Sequence, residues 1–236
     1  GALQDSDAGY KGLVGSRLRK TFGLLSHAGT MPLFWVLDEF KKSQQRDVEE
    51  GDFKLGPPPG KLPSARKAWA EFHDAMQKWD EPRADRAITA LVRTRGAGEI
   101  TEQLWKYGAR DYRNIGHKPI FVANAIRTLE TIGWRHAEPI LRSLVLGLLD
   151  YGAEERVNQY AFEDQCFLSN EKRAGQLAAS LPGDWAAGKA DTARTVELLE
   201  IMRSMETENA CRQAAEWLAG GHAQATCLWD AVHLAA

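Results

Sequence analysis

The chain has 236 residues, 44% of them hydrophobic and 26% charged, with a formal net charge of -2. That length suits one large domain or two small ones and can bury a sizeable core. Thirty Lys and Arg offset 32 Asp and Glu with the signs interspersed, which excludes the basic face of a nucleic-acid binder. No apolar run reaches the roughly 18 to 20 residues that cross a bilayer, since Pro139 to Leu149 is broken by Arg142 and Ser143.

Apolar residues recur at helical spacing and almost nowhere alternate with period two, so the sequence predicts an all-α fold of roughly ten helices. A first helix is expected from Tyr10 to Leu25, a second from Pro32 to Ser43. Residues 51–63, with Pro57-Pro58-Pro59-Gly60, form a proline-rich loop. Ser64 is placed to cap a helix running through Trp69, Phe72 and Trp79. Pro82 opens the next in its first turn, where a missing N–H costs nothing. Glu99 to Tyr107 follows, then two strongly apolar helices, Pro119 to Ile132 and Pro139 to Leu149, expected at the centre of the fold. Residues 152–170 read as irregular. Helices resume at Glu171 to Ser180, Asp191 to Met205, Glu208 to Leu218 and Ala223 to the end.

Short connections suit a multi-helix bundle in a single domain, 1–236, and an irregular repeat-like stacking is compatible with them. The chain begins without Met and its last helix has no stop residue, so the natural protein is expected to continue. Cys166, Cys211 and Cys227 show neither a disulfide framework nor a metal spacing, and with the absence of a spanning segment they favour a reducing, cytoplasmic setting.

The histidines carry the chemistry. His27, His117 and His136 each fall just before a proline that opens an apolar helix. The positive end of a helix disfavours imidazolium and keeps the ring in its neutral, metal-binding form. His233 lies one turn after Asp230. A nitrogen-rich set of His27, His117, His136 and His233 suits iron, copper, zinc or nickel. Glu138 and Glu39 are the carboxylates within reach. Any one of these histidines is more often a cap or a core residue than a ligand; their joint placement raises the metal reading. His73, among Glu71, Asp74 and Gln77, reads as exposed, and His222 as a turn residue, so both are left out. Trp35, Trp134 and Trp229 lie close in sequence to the selected histidines and would wall a flat aromatic pocket, or simply fill the core. Rossmann, P-loop and His-Glu-x-x-His signatures are missing. Covalent haem is excluded for want of Cys-x-x-Cys-His, and non-covalent haem ranks below iron.

Gly116-His117-Lys118-Pro119-Ile120-Phe121-Val122-Ala123-Asn124-Ala125-Ile126-Arg127-Thr128-Leu129-Glu130 resembles the segment of the questin oxidase-like proteins in which a His precedes a small-residue helix. The resemblance implies an all-α oxidoreductase that opens polycyclic aromatics with dioxygen, its non-haem iron held by several histidines and a modified lysine. On it, His117 matches the first His of the motif, and His27 and His233 match flanking ligands. His136 lies outside the alignable pattern. Asn124 stands where the motif has its second His, and Lys118 has no feature marking it as the modified lysine. The working expectation is one iron on His27, His117, His136 and His233, with Asn124, Asp230 and Glu138 as supporting catalytic groups. The rival is a non-enzymatic helical scaffold that binds another protein, with the histidines as caps and the tryptophans as core or interface anchors.

Overall fold

The computed structural model describes residues 31–50, 55–110, 116–150, 162–204 and 207–235. Ten α-helices and no strand occur among them. The fold is all-α, as the periodicity dictates. The helix expected at Tyr10 to Leu25 lies outside the described residues, as does His27.

The chain divides into two compact units, residues 1–167 and 168–236, where the sequence reads as one domain. Each has its own apolar cluster. In the first unit, α1 is Met31–Glu50, α2 Ala65–Lys78, α3 Glu81–Thr94, α4 Ala97–Gly108, α5 His117–Ile132 and α6 Ala137–Leu149. The next helix, α7, Phe162–Leu177, crosses the division and starts inside the stretch read as irregular. Its apolar side chains are too few and too poorly aligned to announce a helix.

Local chemistry sets the ends. Ser64 stands at the start of α2 but its hydroxyl makes no cap; its carbonyl accepts from Lys67 and Ala68 instead. Asp80 is a true cap, its carboxylate accepting from the Arg83 N–H at 3.1 Å, with Pro82 in the first turn. α2 ends on Trp79, whose φ of 57° is the one positive value at a non-glycine residue among those described. The Asp80 N–H then donates to the Ala75 carbonyl at 2.9 Å, closing a six-residue turn usually made with glycine.

Helices adjacent in sequence pack on one another, α2 on α3, α4 on α5 and α5 on α6. α3 also packs on α6, three helices later, which is bundle packing rather than the neighbour-only stacking of a solenoid. α6 buries nine of its 13 residues and forms the centre of the unit. At Gly108 the close approach is explicit: a Cβ there would lie 2.7 Å from Val122 Cγ2.

Two ion pairs fix the α3–α6 register. Arg142 Nε and Nη2 donate to Asp85 at 2.6 and 2.8 Å, both side chains buried. Arg93 donates twice to Glu138, at 2.8 and 2.7 Å, nearer the surface. A fully buried pair adds little net stability, because desolvation offsets attraction, but it penalises any other register.

The second unit holds residues 168–177 of α7, then α8 Thr192–Ser204, α9 Thr207–Ala219 and α10 Ala225–Ala235. Asp191 caps α8 through the Arg194 N–H at 3.1 Å. The core here is small: Leu198, Ala223, Cys227 and Ala231 are buried, with Leu199, Ala214, Trp217 and Leu228 against them.

Candidate functional site

His117 is the first residue of α5, half-buried, its ring stacked on Phe121 one turn on (centroids 6.3 Å apart, planes 11°). Asn124 lies two turns along the same flank and is 5% exposed. Neither its Nδ2 nor its Oδ1 has a hydrogen-bond partner among the described residues, a costly arrangement for a buried amide. His136 ends the short 3-10 turn Trp134–His136, is exposed, and accepts from Arg135 Nε at 2.9 Å through Nε2. Arginine on that nitrogen takes the lone pair a metal would need.

His233 belongs to the second unit and is exposed on α10. Its Nδ1–H donates to the Trp229 carbonyl at 2.6 Å. Asp230 is exposed on the same helix, so the ring is held by the backbone rather than by that carboxylate. Glu138 is engaged by Arg93, whose hydrogen bonds hold the carboxyl below the usual carboxylate range. Glu39 pairs with Lys42 at 2.8 Å. The expected tryptophan wall does not form from Trp35 and Trp229, which are 46% and 64% exposed.

Among the described residues, no group of three or more His, Cys, Asp or Glu side chains is placed to hold a metal ion. His117 and Asn124 share a flank; His136 and Glu138 are each turned to an arginine. The described donors therefore do not assemble a histidine ligand set for an iron ion, and His27 lies outside them.

The lysine next to His117 has a different place from any the sequence suggested. Lys118 is 1% exposed, and its Nζ donates to the Leu148 carbonyl at 2.9 Å. Leu148 is in the last turn of α6, where carbonyls lack intrahelical partners and a cation is favoured. Arg110 does the same for α2, donating to the Met76 carbonyl at 2.6 Å. Both cations meet Trp79: the Arg110 guanidinium carbon lies 4.0 Å from its ring centroid and the Lys118 nitrogen 5.3 Å. Cation–π attraction of desolvated groups, worth about 2 kcal/mol, explains why tryptophan is held in a conformation that glycine would adopt more easily.

A second cluster surrounds His73, which the sequence places on an exposed face. His73 Nδ1 is 2.6 Å from the hydroxyl of Tyr107, a side chain 1% exposed. Its ring stacks on Trp69 (5.6 Å, 19°), and Trp69 Nε1 donates to Glu99. Burial first, and the nearby Lys106 second, push the imidazole below its ordinary value of 6.5. The available signal is Trp69 and His73 four apart on one helix face, hidden by the charged neighbours at 71 and 74.

An open cleft of about 390 Å³ lies within the second unit between α7 and α9. Arg173 crosses it, donating to Asn170 at 2.7 Å and to Glu208, whose other oxygen accepts from Ser169 at 3.2 Å. Lys172, Arg212 and Glu216 complete a polar rim over a floor of Leu177, Ala215 and Ala219, with no aromatic side chain in the lining. Such a lining lacks the apolar walls and convergent donors of a pocket built for an aromatic molecule.

No family model matches the chain, and no curated protein or solved structure matches it either.

Proposed function

We propose that this chain is a non-enzymatic helical interaction domain that binds another protein. The observation that carries the reading is the orientation of α1. Phe34, Leu37, Phe40 and Val48 are 58%, 54%, 49% and 68% exposed, while Ser43, about 60° round the axis from Phe40, is 3% exposed. A soluble helix ordinarily buries the stripe this one displays. An i, i+3, i+6 run of large apolar side chains is the pattern by which a helix enters a partner's groove.

A photo-crosslinking residue at position 34 should capture a discrete partner in cells that express the chain. The same probe at Lys67, exposed on α2, should capture none. Equal yields from the two positions would remove the assignment.

The metal-dependent oxidoreductase implied by the resemblance is the second reading, with an aromatic substrate and dioxygen as its reactants. One observation favours it: Asn124, at the motif position, is a buried amide with both polar atoms unpartnered among the described residues. Plasma mass spectrometry after anaerobic reconstitution separates the readings. Stoichiometric iron that is lost on His117→Ala supports the oxidoreductase; metal-free protein supports the interaction domain.

A further inference from the structure

α10 has the composition of an interior helix but far less of the burial of one. Its segment, Ala225-Thr226-Cys227-Leu228-Trp229-Asp230-Ala231-Val232-His233-Leu234-Ala235, is as apolar as α6. Yet α6 buries nine of its 13 residues and α10 only two of 11, Cys227 and Ala231. Those two face α8, the helix on which α10 packs. At about 100° per residue, Asp230 and His233 lie about 60° apart on a side of α10 turned away from these two, with Trp229 and Leu234 flanking them about 40° further round on either side. Trp229 is 64% exposed, Val232 44% and Leu234 58%.

We propose that this face is a homodimer contact, occupied by α10 of a second copy running antiparallel. The argument is self-complementarity. The only charged or titratable groups on the exposed side of α10 are Asp230 and, three residues later, His233; from α8, Arg203 donates to the Leu234 carbonyl at 3.3 Å. A two-fold axis between residues 231 and 232 sets Asp230 of each copy opposite His233 of the other, and Trp229 opposite Leu234. A parallel pairing would instead set Asp230 against itself. His233 is already oriented for the exchange: its Nδ1–H is bonded to the Trp229 carbonyl at 2.6 Å, so Nε2 is the outward nitrogen and, once protonated, donates to a carboxylate. Isologous contacts of this kind, each residue meeting the partner's counterpart, are the commonest in homodimers. Three turns of helix present less than the about 800 Å² per partner of a stable complex, so the dimer is weak, with a dissociation constant on the order of 10–100 µM.

This inference rests on the interaction reading but uses a different surface, so the two can fail separately. Sedimentation velocity of the full chain in mildly acidic buffer, across roughly 1 to 500 µM, is the test. The expected result is a weight-average mass rising toward twice the monomer, lost in Trp229→Asp with helicity unchanged. Asp230→Lys and His233→Glu should each shift the midpoint several-fold to higher concentration, because each opposes like charges across the axis. An equimolar mixture of those two variants should recover association, since the two introduced charges are opposite in sign and then face each other across the axis. A wild type that stays monomeric overturns the proposal, as does a dimer indifferent to Trp229→Asp, or a mixture that associates no better than its components. Retained crosslinking at position 34 in a monomeric wild type would sink the dimer and leave the interaction reading standing.

Discussion

The two units solve the same problem with unequal means. Residues 1–167 contain a deep core in which Phe72, Met76, Ile88, Leu104, Val122 and Leu141 are at most 1% exposed, and into which charges are admitted only with partners, as in Arg142–Asp85. Residues 168–236 have a core of one leucine, one cysteine and two alanines fully buried, and leave Trp229, Val232, Leu234 and Val196 on the surface. Short chains bury a smaller share of their apolar surface, and the remainder stays on display. The larger unit encloses many more apolar side chains than the smaller, yet each leaves large ones in solvent, along α1 in the first and along α10 in the second.

Core truncation should separate the units most clearly. Phe72→Ala is expected to cost about 3–5 kcal/mol in chemical denaturation, because the ring is fully enclosed and also meets Tyr107 edge-on. Leu198→Ala should cost about 2 kcal/mol, since a thin core collapses around the gap more readily. Similar values for both would erase the contrast.

Next in size is the buried ion pair. Arg142→Met alone should cost about 3–5 kcal/mol by stranding Asp85, whereas Arg142→Met with Asp85→Leu should recover most of that loss. A double variant no better than the single would show that attraction, not the stranded charge, dominates. Gly108→Ala should then destabilise by about 1–3 kcal/mol, its Cβ arriving 2.7 Å from Val122. A neutral result would mean that α5 has room to slide.

The pH response should belong to the first unit. His73 is held below its ordinary value of 6.5, so the unfolded chain binds its proton first as pH falls. The stability it contributes is complete above about 6.5 and is lost as pH drops from there through the folded value. Denaturant titrations between about pH 8 and 5 should show this slope in the wild type and a flatter one in His73→Gln. Carboxylates held below their ordinary value of 4.5 by arginine hydrogen bonds, such as Glu138 and Glu208, act only in a more acidic range. The smallest effect is expected at Trp229→Ser, within about 0.5 kcal/mol, because the ring is already in solvent. A large loss there would mean that it is covered within the monomer.

What the sequence determined alone follows from short-range physics. The 3.6-residue period, the prolines at 82, 119 and 139, and the capping Asp80 and Asp191 act within a turn or two, so most helices lie within a few residues of their expected bounds. The apolar run of 139–149 also announced its own burial, and α6 is central. Tertiary structure alone decided which polar side chains would meet. Nothing local pairs Asp85 with Arg142 across 57 positions, or sends Lys118 to the end of α6 rather than to His117. The candidate site shows the same limit. A histidine precedes an apolar helix at 117 and 136 alike, yet that pattern cannot say that Arg135 will occupy His136, or that His73, ringed by charges in sequence, will lie against Tyr107. Periodicity reports how much of a helix is apolar; only the packing around it decides whether that face is filled, as in α6, or left open, as in α10.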